Sequence, residues 1–160
     1  MKNNILFSKI LIAVDASTYS QQAAKYGMAL AKNLNAQVAL VHVDEYMAVA
    51  NIAGDPILGD QLIVIPELAE IQKESANQLL KQIIADYAEG LTVIQIVKNG
   101  DIKTEILETA NTWSANIIVM GTHGRKGLDH FLLGSMAESI TRNANCPVLI
   151  VPNKDEDDEN

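Results

Sequence analysis

The segment Gln37-Val38-Ala39-Leu40-Val41-His42-Val43 is apolar at almost every position. It lacks the alternation of a strand with one face in water, so it reads as buried on both faces. Such strands belong to parallel sheets covered by helices. Lys9-Ile10-Leu11-Ile12-Ala13-Val14 and Ile117-Ile118-Val119-Met120 have the same character. Between these runs the period changes to that of a helix. Ala23, Ala24, Gly27, Met28, Leu30, Ala31 and Leu34 recur at helical spacing, with Asn33 and Asn35 at the exit. Glu67 to Glu89 reads as a long helix with Leu68, Ile71, Leu79, Leu80, Ile83 and Ile84 inward and Gly90 at its end.

Leu91 to Val97 alternates and is β-branched, which predicts a strand. Asn99-Gly100-Asp101 turns the chain, and Asp101 can cap a helix reaching about Trp113. Then follow a strand at 116–120, a helix at 134–144 and a last strand, Val148 to Val151. Strand and helix alternate throughout, which predicts an α/β fold: an open parallel sheet with helices on both faces. The stretch Asp44 to Pro66 fits neither period. Gly54, Pro56, Gly59 and Pro66 break it, yet Ile57, Leu58, Leu62, Ile63, Val64 and Ile65 are too apolar for a solvated loop. It is expected to cover the domain or to meet a partner.

The 160 residues suffice for one domain with a real core, and 48% hydrophobic against 20% charged residues is a globular balance. No apolar run is long enough to span a bilayer, and the start of the chain lacks the features of a signal peptide, so a cytoplasmic protein is expected. Cys146 is the only cysteine, which excludes an internal disulfide and disfavours a thiolate metal cluster. The net charge of −8 and the lack of a dense Lys/Arg patch disfavour nucleic-acid binding. Part of that charge lies in an acidic tail over 153–160, expected to be disordered beyond a domain at 1–152.

Chemistry concentrates at Gly121-Thr122-His123-Gly124, nine residues, and Gly134-Ser135. A strand runs into a glycine-punctuated loop and the loop into a helix start, which gathers backbone N–H groups and suits a phosphate. Gly121 allows a sharp turn, Gly124 a close approach to an anion, and Gly134 a helix start without a side chain. Ser135 and Met136 offer N–H groups, and Arg125 and Lys126 offer charge. There is no Gly-x4-Gly-Lys-[Ser/Thr] and no Gly-x-Gly-x-x-Gly after the first strand, which disfavours a P-loop and a dinucleotide site.

Asp15 ends the first strand, where open α/β sheets bind ligands. It is a candidate for ribose hydroxyls or a phosphate-bound Mg²⁺, and either Asp15 or Ser17 can cap the next helix. His42 lies inside an apolar strand and reads as a satisfied core histidine. His123 lies in the loop within reach of phosphates, and His130 is expected on the surface. The histidines lack metal-ligand spacing, and no Ser-His-Asp arrangement is evident, so nucleophilic catalysis is unsupported.

These residues together resemble the universal stress protein family over about 7–152. The resemblance is carried by Ile10 to Ser17, Val41-His42-Val43, Gly100-Asp101, Met120 to Gly124, Gly134 to Glu138 and Cys146 to Val151. It implies a five-stranded sheet of order 3-2-1-4-5, of the Rossmann-like, adenine nucleotide alpha-hydrolase-like type. It implies a homodimer through Val148–Val151 and, from the complete Gly-x2-Gly-x9-Gly-Ser pattern, ATP as ligand. By carry-over, Ala13, Val14, Asp15 and Val43 would line the adenine and ribose side. Met120, Gly121, His123, Gly124 and Arg125 would surround ribose and phosphates, with Gly134, Ser135 and Met136 at the phosphate end. Ala16 stands where the family often has glycine. The expected function is stress signalling through an unidentified protein partner, with slow ATP hydrolysis or none. The rivals are an interaction module binding AMP or no nucleotide, and a nucleotidyl-transfer enzyme. The latter lacks its usual His-x-Gly-His, since the place reads Asp15-Ala16-Ser17-Thr18.

Overall fold

The computed structural model describes residues 7–45, 49–51, 62–64, 66–123 and 133–153. Five parallel strands form the main sheet: β1 (Lys9–Ala13), β2 (Gln37–Asp44), β5 (Val93–Asn99), β6 (Ile117–Gly121) and β7 (Val148–Val151), in the order β5-β2-β1-β6-β7. Counted among themselves, the five give 3-2-1-4-5. The remaining strands, β3 (Val49–Asn51) and β4 (Leu62–Val64), pair with each other antiparallel. The sequence pattern left that stretch unassigned; the structure places a short hairpin at its two ends.

Four helices cover the sheet: α1 (Thr18–Leu34), α2 (Pro66–Tyr87), α3 (Ile102–Trp113) and α4 (Ser135–Asn143). The near-continuous apolarity of β1, β2 and β6 is used on both sides. Ile10, Ile12, Val38, Leu40 and Val119 pack with Ala23, Met28 and Ala31 of α1 and with Leu80 and Ile83 of α2. Leu11, Ala39, Val41 and Ile118 pack with Ile106 and Ala110 of α3 and with Ala137 and Ile140 of α4. Each large side chain fully removed from water contributes about 1.5–3 kcal/mol. β1 lies at the centre, with β2 in register from Lys9↔Gln37 to Ala13↔Val41 and β6 from Ile10↔Ile117 to Ile12↔Val119.

Local chemistry sets the helix ends. Ser17 caps α1 by accepting from the Ser20 N–H, and Asn35 closes it in the left-handed region at φ 52°. Asp101 caps α3, accepting from the Thr104 N–H at 2.9 Å and the Thr104 hydroxyl at 2.7 Å. These bonds hold its carboxyl below the usual carboxylate range, the side-chain bond first. Among the described residues, no helix is long and apolar enough to cross a membrane.

Candidate functional site

The chain leaves β1 toward α1 on one face of the sheet and leaves β6 toward α4 on the other. β1 and β6 are neighbours whose following helices pack on opposite faces, and this is the switch point at which open α/β sheets form a crevice at the carboxyl ends. Ala13, Val43 and Met120 stand at this rim on the α3/α4 side. Each is 7% exposed, whereas Leu11 and Ile118, deeper on the same face, are at 0%. Met136 of α4 packs against the same cluster. The result is a small apolar floor at the end of three adjacent strands.

The glycine segment is drawn together around that floor. The Thr122 N–H donates to the Val151 carbonyl at 3.1 Å, and the Gly134 N–H donates to the Thr122 carbonyl at 2.9 Å. Both ends of the loop therefore meet, and Gly121 to His123 lie beside Gly134 to Met136. The Tyr19 ring of α1 stands 5.2 Å from that of His123, which joins the first turn of α1 to the same place. The His123 Nδ1 is buried without a hydrogen-bond partner among the described residues. Among the described residues α4 begins at Gly134 with no side-chain cap, so none of them takes its first N–H groups, Ser135 and Met136 among them, as a capping side chain. Gly124, Arg125, Lys126 and His130 lie outside the described residues.

Two glycines here are explained by close approach. A Cβ on Gly121 would stand 2.8 Å from the Tyr19 Cβ and 2.9 Å from its backbone carbonyl. One on Gly134 would stand 2.6 Å from the Thr122 carbonyl oxygen. The sequence suggested a sharp turn for Gly121; the structure shows the start of α1 lying against it.

Asp15 is woven into the start of α1. Its Oδ1 accepts from the Ser17 N–H at 2.9 Å, from the Ser17 hydroxyl and from the Ser20 hydroxyl at 2.7 Å. The Asp15 N–H donates to the Ser20 hydroxyl at 2.8 Å. Ser17 thus fills the capping role. Among the described residues no group of three or more His, Cys, Asp or Glu is arranged to hold a metal.

Sequence reasoning did not find one further pair. His42 is 3% exposed, with Nδ1 2.9 Å from the Val14 carbonyl and Nε2 3.1 Å from Asp44 Oδ1. The pair borders a cleft of about 180 Å³ lined also by Ala16, Gln72, Ser75, Ala76 and Leu79. This cleft lies on the α2 side of the sheet, opposite the apolar floor. The available signal was the spacing of two along a strand, which puts both side chains on one face. Cys146 is half-buried, and that burial pushes its thiol above the usual range against a smaller opposing pull from the Ile118 backbone.

Known proteins share both the sequence and the fold. Residues 6–152 match the profile of the Universal stress protein family. Universal stress protein MJ0531 of Methanocaldococcus jannaschii is 36% identical over 147 residues, covering 91% of this chain and 82% of that protein. The solved structure of MJ0577, from the same organism, superposes with a TM-score of 0.76 at 28% identity and covers 94% of this chain and 99% of that one. The universal stress protein from Archaeoglobus fulgidus solved in complex with dAMP has a TM-score of 0.59 at 20% identity, covering 91% and 98%; that likeness is one of fold.

Proposed function

The chain belongs to the universal stress protein family, and from that membership we propose that it is an ATP-binding regulator rather than an enzyme of rapid turnover. The observation that carries the reading is the crevice between β1 and β6. It puts an apolar floor of Ala13, Val43 and Met120 beside the N-terminus of α4, which no side chain among the described residues caps. An adenine ring has a surface to rest on. A phosphate chain has the first N–H groups of α4 and their helix dipole to meet.

In this reading Ala13, Val14, Asp15 and Val43 serve the adenine and ribose. Met120, Gly121, His123, Gly124 and Arg125 serve the ribose and phosphates, and Gly134, Ser135 and Met136 hold the phosphates. Mg²⁺ arrives on the phosphates, with Asp15 as the protein carboxylate that meets it. Occupancy changes the surface at the carboxyl end of the sheet and so selects between protein partners. The protein acts as a homodimer through β7, in the cytoplasm, with slow hydrolysis or none.

Mass spectrometry of small molecules released from denatured purified protein tests the central claim, followed by calorimetric titration of stripped protein with ATP, AMP and cyclic AMP. An adenine nucleotide in the first and tightest binding of ATP in the second are expected. AMP is the competing ligand, since dAMP occupies the A. fulgidus protein of the same fold. No nucleotide released and no binding heat would remove the reading. Multiple-turnover ATP hydrolysis would overturn its non-enzymatic part.

A further inference from the structure

His42 and Asp44 lie on the sheet face away from the apolar floor, yet they touch the floor's frame. The last backbone bond from β1 to β2 is the Val14 N–H on the Val41 carbonyl at 2.9 Å. The Val14 carbonyl itself meets the His42 ring at 2.9 Å. A carbonyl can only accept, so Nδ1 carries the hydrogen of that bond. Val14 is 6% exposed, and a buried carbonyl without a donor is costly.

The other ring nitrogen, Nε2, stands 3.1 Å from Asp44 Oδ1. The Asp44 side chain is 14% exposed and its Oδ2 is buried with no partner among the described residues, where His42 is the hydrogen-bond partner of this carboxylate. Asp44 is in turn fixed by its backbone, whose carbonyl accepts from the Gly100 N–H at 3.0 Å. Gln72, Ser75, Ala76 and Leu79 of α2 bring no formal charge to the cleft beside the pair. A line of hydrogen bonds therefore runs from the end of β2 through one imidazole to the residue at which β1 releases the chain toward Asp15.

We propose that His42 is a positioning residue for the nucleotide site: held by Asp44 at Nε2, it fixes the Val14 carbonyl and so the placement of Val14 and Asp15 at the rim. This rests on the nucleotide reading above. It assigns a role to a side chain that touches no ligand and works through the strand end.

Two amide substitutions separate the two ends of the ring. In His42→Asn the side-chain amide nitrogen takes the place of Nδ1 and keeps the bond to Val14. In His42→Gln it takes the place of Nε2 and keeps the contact with Asp44 while leaving the Val14 carbonyl without a donor. Nucleotide affinity is measured by calorimetry below the melting transition of both variants, together with the amide nitrogen and proton shifts of Asp15 in nucleotide-free protein. Asparagine is expected to stay within about threefold of the wild type and glutamine to weaken binding about tenfold or more. The Asp15 shifts should move in the glutamine variant and stay near wild type in the asparagine variant. Equal affinities in the two variants, or unmoved Asp15 shifts with glutamine, would overturn this inference alone. A wild-type protein that binds no nucleotide would overturn the reading beneath it.

Discussion

Gly121 and Gly134 owe their identity to their neighbours. Neither has a positive φ among the described glycines; those that do are Gly90 and Gly100. At Gly121 the obstacle is the backbone of Tyr19, which moves only with α1. Gly121→Ala is therefore expected to cost about 1–3 kcal/mol, read as a shift of the denaturant midpoint at constant slope. A midpoint unchanged from wild type would show that α1 yields freely. The same reasoning clarifies Asp15. The sequence offered it two roles, capping and ligand contact, because an aspartate after a strand suits both. What the sequence withheld was Ser20, which shares Oδ1 with Ser17 through a hydroxyl one turn into the helix. His42 shows the opposite case. Its burial was legible from the apolar run around it. Its partner on β1 was not, since that depends on the register that sets Val14 across from it.

The elements were legible where local chemistry decides them. Asp101 announces α3, and Asn35 ends α1 as a residue suited to the left-handed region. β5 was expected over Leu91–Val97 and lies at Val93–Asn99. Gly90 at φ 77° turns the chain, Leu91 packs on the core before pairing starts, and the ladder with β2 runs on to Asp44↔Asn99. The β3–β4 hairpin was not legible, because Val49–Asn51 and Leu62–Val64 are too short to establish a period. Gly124 and Arg125, both assigned to the phosphates from the family pattern, lie outside the described residues.

The cap of α3 carries a pH signature. The Asp101 carboxyl is held below its unfolded value of about 3.9. Its contribution is present above that unfolded value and is lost as pH falls through the lower folded one. Melting temperatures taken from pH 5 to acid should fall less steeply for Asp101→Asn than for the wild type. Parallel curves would mean that the cap does not depend on the charge.

At the scale of the whole molecule, the sheet has two edges, β5 and β7. The Ile118 N–H reaches the Pro147 carbonyl and the Thr122 N–H reaches that of Val151, so residues 147, 149 and 151 face β6. By the period of a strand, Val148 and Ile150 turn their backbone groups to the open edge. Leu149, 37% exposed, adds an apolar side chain there. The proposed dimer would satisfy these groups. Ile150→Pro removes an outward N–H and leaves the ladder to β6 intact. Sedimentation should show the wild type at twice 17.4 kDa and the variant at 17.4 kDa with an unchanged far-ultraviolet spectrum. A variant that remains dimeric would move the interface elsewhere.

The central position of β1 also orders events during synthesis. β1 is made before β2 and finds it soon afterward, but its other neighbour, β6, follows only after α2, β5 and α3. One wall of the crevice is thus complete early, and the opposite wall exists only after the intervening helices and strands have left the ribosome. A nascent chain can rehearse half of its fold before the proposed nucleotide site exists, and under that proposal ligand stabilisation becomes available only with the emergence of β6 and α4.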